Sequence, residues 1–184
     1  MALSDVFASN LLVRWLRGDP SRYDLITTMV GVRLGDRLVS CGAGDPALTA
    51  ALAKVTGLSG RAVAHAATKD EAAVLAAGAE RAGVLLEVVE GPAGALPLAD
   101  GEFDLAVIDA ASALVDRLLP ECRRVLRSGG RVVSVVRVKA PGAPSADEVL
   151  RATSQHFRGA RILLDRDGYA LVEALKGQPP AAAS

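Results

Sequence analysis

Four side chains able to do chemistry stand at the ends of short apolar runs or just after them: Cys41, Asp45, His65 and Asp109. If those runs are neighbouring strands, all four gather near one edge of a sheet. An aspartate beside a histidine can act as a general base, and a cysteine there could be a nucleophile. His65 and Asp109 are therefore the candidate catalytic residues. Plainer readings stand beside these: His65 could close a strand, Cys41 could be a small buried apolar residue, and Asp109 could cap a turn. Between Cys41 and the next helix runs Gly42-Ala43-Gly44-Asp45-Pro46-Ala47. Such a loop brings backbone close to a ligand and offers amide groups at a helix N-terminus to an anion. Its spacing also fits the dinucleotide fingerprint, but that fingerprint needs an acid at the end of the second strand, where Ala66 stands.

The chain that must position these groups has 184 residues, 51% of them hydrophobic, 23% charged and 3% aromatic. That is enough for one domain with a real core, built from Ala, Val and Leu. Basic and acidic residues number 21 each. A balanced charge argues against nucleic-acid binding, which rests on neutralising phosphates. Two cysteines and two histidines argue against a disulfide scaffold or a zinc cluster, and no metal site is expected. No uncharged apolar run reaches the roughly 20 residues of a membrane span, and no signal peptide is visible, so a cytoplasmic protein without membrane contact is expected.

Residues 4–17 predict an amphipathic helix with Phe7, Leu11 and Trp15 in one stripe, and Asp19-Pro20-Ser21 starts a second helix with Tyr23, Ile26, Met29 and Val30 inward. These helices, within residues 1–34, would cover one face, form a lid or make a dimer surface. From 35 to 176 strands alternate with helices. The expected strands are Arg37–Cys41, Arg61–His65, Val84–Val89, Phe103–Asp109 and Arg131–Val136. The expected helices are Ala47–Val55 (with Leu48, Leu52 and Val55 on one face), Lys69–Ala82 and Pro120–Leu126, the last with proline in its first turn. Ser145 and Glu148 form a capping box for a helix to about Phe157. Arg161–Leu164 and Tyr169–Leu175 flank Asp165-Arg166-Asp167-Gly168, which predicts a hairpin. The pattern predicts an α/β domain with a mostly parallel, doubly wound sheet and a C-terminal antiparallel pair. Residues 177–184 should be disordered. Arg123, Arg124, Arg127 and Arg131 cluster round a turn and read as a solvated face.

Three stretches in order resemble the class I S-adenosylmethionine-dependent methyltransferases of the UbiE-like, type 11 kind. They are Gly35-Asp36-Arg37-Leu38-Val39 with Gly42-x-Gly44, Leu96-Pro97-Leu98-Ala99-Asp100-Gly101-Glu102-Phe103-Asp104, and Arg124-Val125-Leu126-Arg127-Ser128-Gly129-Gly130. The resemblance runs from about residue 20 to 176 and implies a Rossmann-like, seven-stranded fold. It implies S-adenosylmethionine as cofactor, lying across the carboxyl ends of the first, second and fourth strands. Phe103–Asp109 also resembles the corresponding strand of metal-dependent catechol-type O-methyltransferases, but the further ligands are not found. No Asn/Asp-Pro-Pro-Tyr/Phe motif appears, which argues against methylation of nucleic-acid amino groups.

Site residues follow from the resemblance position by position: Ser40, Gly42, Gly44, His65, Ala66, Pro92 and Asp109 would line the cofactor. The family's three carboxylates, which end the first strand, bind the ribose and bind the adenine amino group, are replaced by Ser40, Ala66 and Pro92. Each hydrogen bond to a charged group contributes roughly 1.5–3 kcal/mol, so the ribose bonds alone are worth about tenfold to a hundredfold. Pro46 lacks an amide donor, and Asp45 can cap its own helix, where it would repel the methionine carboxylate. The expectation is a divergent, degenerate member with weak cofactor binding that serves as a binding or partner subunit. The alternative is an active small-molecule methyltransferase with an unusual cofactor site. A small molecule or protein is the expected partner, and a homodimer is the expected self-association.

Overall fold

Short apolar runs become strands here where they carry β-branched valine and isoleucine, which pack well on a pleated surface. The computed structural model describes residues 20–42, 44–109, 112–138, 142–166 and 168–177. The helix expected over residues 4–17, and all but Gly177 of the expected disordered tail, lie outside the described residues. In chain order come α1 (Pro20–Val30), β1 (Arg37–Cys41), α2 (Pro46–Thr56), β2 (Arg61–Ala66), α3 (Lys69–Ala82) and β3 (Glu87–Glu90). Then follow β4 (Phe103–Ile108), α4 (Ser112–Val125), β5 (Leu126–Val136), α5 (Ala146–His156), β6 (Arg158–Arg166) and β7 (Tyr169–Leu175).

The strands form one sheet in the order β3-β2-β1-β4-β5-β7-β6. The first five run parallel, while β7 is antiparallel to both β5 and β6. This is the doubly wound sheet with a C-terminal hairpin that the spacing predicts. β1 pairs with β2 on one side and β4 on the other, so the chain order reverses there. Loops leaving the carboxyl ends at such a point diverge and open a crevice.

Alternation along each strand feeds two layers. Val39, Val63, Ala106 and Ile108 face α4 and α5 and pack with Val115, Leu119, Cys122 and Val149. Leu38, Leu105, Val107 and Val133 face the other way, onto Ile26, Val30, Leu48 and Leu52 of α1 and α2. Helix ends follow local chemistry. Thr68 caps α3, Gly83 ends it in the left-handed region at φ 63°, and the Ser145–Glu148 capping box forms as expected.

Several boundaries differ from expectation. α4 begins at Ser112, so Pro120 lies inside the helix instead of in its first turn. Proline offers no N–H to the carbonyl four residues back, and both Pro120 and Asp116 are exposed. β5 begins at Leu126, so Ser128-Gly129-Gly130 belongs to the strand, with a register shift against β4. Gly129 has φ 74°, and the Gly129 N–H donates to the Lys176 carbonyl at 3.0 Å. β3 starts at Glu87, and Leu85 is exposed. β6 extends over Arg158–Arg166, which shortens the hairpin connection to residues 167 and 168. On α2, Val55 is exposed and Thr56 is buried in its place, its hydroxyl donating to the Ala53 carbonyl.

The arginine cluster is no single solvated face. Arg124 pairs with Glu121 and Asp100 and donates to the carbonyls of Leu96 and Leu98, while Glu121 accepts from the Leu96 N–H. Together they pin the Leu96–Asp100 loop to α4. Arg127 pairs with Asp104, Arg131 with Glu173, and Arg123 donates to the His156 carbonyl. His156 itself is half-buried.

Candidate functional site

The carboxyl edge of β1, β4 and β5 is built first from the loop after β1. Ser40 is buried, and its hydroxyl shares a hydrogen bond with Thr49 of α2 at 3.3 Å. Gly42 has φ 88°, a conformation that side chains rarely adopt, so glycine is required there. Gly44 is required for space: a Cβ on it would lie 2.5 Å from Oδ1 of Asp109. Asp45 then caps α2 as its sequence position predicts, accepting from the amides of Ala47 and Leu48 at 3.1 and 3.4 Å. The Tyr23 hydroxyl donates to its other oxygen at 2.9 Å. Pro46 occupies the first turn of the helix.

Asp109 follows β4 directly, and its N–H donates to the Cys41 carbonyl. Its carboxylate is 5% exposed and accepts from Nη2 of Arg137 at 3.0 and 2.8 Å. The Asp45 N–H also donates to it. Burial outweighs these partners and pushes the Asp109 carboxyl up to about 6, helped by the nearby Asp45 charge. Arg137 was not foreseen. The signal available was positional: a charge directly after the apolar run Val132–Val136, the same argument that selects Asp109.

His65 lies two strands away from Asp109, on β2, with β1 between them. It is buried, and Nε2 lies 2.7 Å from the Gly91 carbonyl. A carbonyl only accepts, so Nε2 carries the hydrogen in this contact. Nδ1 has no partner among the described residues. The expected Asp–His pair is therefore not formed, because His65 is committed to Gly91 and Asp109 to Arg137. Nor is Cys41 an accessible nucleophile: it is fully buried, with its sulfur 3.9 Å from that of Cys122. The hydrogen bond with Cys41, together with burial, pushes the Cys122 thiol well above its usual range. Among the described residues no three His, Cys, Asp or Glu side chains converge as a metal site, and no helix is long and apolar enough to cross a membrane.

The other positions tied to the cofactor offer little polarity. Ala66 is fully buried and packs with Ala64 and Leu75 of α3, while its carbonyl accepts from the Gly91 N–H. Pro92 is exposed, and its carbonyl accepts from the Ala95 N–H. Ser40 turns its hydroxyl to Thr49. None of the three positions that the resemblance assigns to the cofactor's polar groups carries a carboxylate, so the residues present do not fit the cofactor in the family's usual way. Between α4, α5 and the loop after β5 lies a groove of about 320 Å³, lined by Val115, Asp116, Ala143, Pro144, Glu148 and Val149 among others.

Comparison with known proteins gives this arrangement its context. Residues 39–134 match the model of a family described as methyltransferase domain. The chain is 38% identical over 120 residues to the ubiquinone/menaquinone biosynthesis C-methyltransferase UbiE of Methylobacterium nodulans, covering 58% of this chain. It spans about half of that relative's length, 46%. Among solved structures, a SAM-dependent methyltransferase from Aquifex aeolicus superposes with a TM-score of 0.69 at 19% identity, over 85% of this chain and 93% of that one. The cofactor-bound Rv0187 from MTB superposes with a TM-score of 0.67 at 26% identity, over 94% and 90% of the two chains. The matched segment runs from β1 to β5 and holds both the glycine loop and Asp109, and on that ground the chain belongs to the methyltransferase-domain family of the class I S-adenosylmethionine-dependent superfamily.

Proposed function

We propose that this chain is a divergent methyltransferase-like protein whose affinity for S-adenosylmethionine is low, and that it serves as a binding or partner subunit. The observation that carries this reading is the absence of a carboxylate at Ser40, Ala66 and Pro92 together. The Asp45 cap adds to it, because a negative side chain takes the helix amides that a ligand carboxylate would use. A small molecule or a protein is the partner class that this reading implies. Calorimetry with S-adenosylmethionine tests it: the expected dissociation constant is weaker than roughly 100 μM, about −5.5 kcal/mol.

One observation favours a second reading, an active small-molecule methyltransferase. It is the 38% identity to a C-methyltransferase. On that reading the unmodified protein binds the cofactor at low micromolar concentration and transfers its methyl group to an acceptor. Incubation with labelled cofactor and candidate acceptors distinguishes the two.

A further inference from the structure

The Asp109–Arg137 pair joins three chain segments that all end at the ligand edge of the sheet. Asp109 leaves β4, Arg137 leaves β5, and the Asp109 carboxylate lies against Gly44 in the loop that leaves β1. The packing is close. A Cβ built on Gly44 would meet Oδ1 of Asp109 at 2.5 Å, its Cγ at 2.7 Å and its backbone oxygen at 2.7 Å. A side chain on Gly44 has no room beside Asp109. The same carboxylate takes the Asp45 N–H, a loop amide of the kind that binds an anion at a helix N-terminus. Arg137 holds the carboxylate there through two contacts to one nitrogen, and its own side chain is 34% exposed.

From this geometry we propose that Asp109 is an internal plug: its carboxylate fills the space under the glycine loop, and Arg137 latches it shut. The plug supplies a cause for low cofactor affinity beyond the missing carboxylates, and so rests on the function proposed above. A ligand entering under the loop must displace Asp109 from Gly44, the Asp45 amide and Arg137 together. Tyr23 donates to Asp45 at 2.9 Å and so adds a hold on the residue next to Gly44.

The test compares S-adenosylhomocysteine binding by calorimetry to the native protein, Asp109→Ala and Asp109→Asn. Asp109→Ala should bind roughly tenfold to a hundredfold more tightly than the native chain. Asp109→Asn keeps the shape and a bond to Arg137, so it should gain less, and it serves if the alanine variant fails to fold. Arg137→Gln removes the charged latch and should also strengthen binding. Equal affinity in all folded variants, or weaker binding in them, overturns the plug. This ratio is independent of the native affinity itself: tight native binding refutes the proposed function, whereas an unchanged ratio with weak native binding refutes the plug alone.

Discussion

Replacing Asp109 by asparagine should stabilise the native protein by an amount that depends on pH. Burial lifts the Asp109 carboxyl from its ordinary 3.8 to about 6, which corresponds to about 3 kcal/mol held against the charged native form. Below pH 3.8 both folded and unfolded chains carry the proton, and there is no penalty. As pH rises towards 6 the unfolded chain releases its proton first, so native stability falls. Above pH 6 both forms are ionised and the penalty is complete. Asparagine has the same shape, can accept from Arg137 and never ionises. Urea denaturation should therefore show Asp109→Asn more stable than the native chain by up to about 3 kcal/mol at pH 8. The gain should shrink as pH falls and vanish near pH 4. A loss at pH 8 would contradict this, because it would mean that Arg137 and the Asp45 amide outweigh burial; so would a gain of equal size at every pH, because Asp109 would then titrate alike in the folded and unfolded chains.

Three further outcomes follow from particular contacts. Asp45→Ala removes the α2 cap and should cost about 0.5–2 kcal/mol in chemical denaturation; a loss within error would show that Asp45 does not stabilise the helix. Arg124→Ala releases the Leu96 and Leu98 carbonyls, so hydrogen exchange at residues 96–101 should accelerate while the β4 amides remain protected. Deleting residues 1–17, with the stripe Phe7, Leu11 and Trp15, should lower the melting temperature or dissociate a dimer; an unchanged melt and mass would show that the stripe packs on neither.

Much of the architecture is legible because the apolar runs are short and bounded by turn residues. Arg37–Cys41 and Tyr169–Leu175 fall where the pattern puts them, and Asp45, Thr68 and Ser145 sit at helix starts. The errors arise where tertiary context overrides local preference. Pro120 is a good first-turn residue, yet the apolar face of Val115, Leu118, Leu119 and Cys122 extends the helix to its N-terminal side. Gly129 and Gly130 read as a turn, but backbone bonds to Lys176 draw them into β5. The site follows the same rule. Placing Asp109, Gly44 and Asp45 at one edge needs only the order of the strands. Knowing that Asp109 chooses Arg137 over His65 needs the third dimension, since β1 separates His65 from Asp109 and the Gly91 carbonyl claims the imidazole.

On the function proposed above, the cofactor edge of this chain binds S-adenosylmethionine only weakly. Isothermal titration of the purified 184-residue chain with S-adenosylmethionine and S-adenosylhomocysteine tests this. The expected dissociation constants are weaker than roughly 100 μM for both, with little thermal stabilisation at modest ligand concentration. Low-micromolar binding of either by the unmodified protein would contradict it.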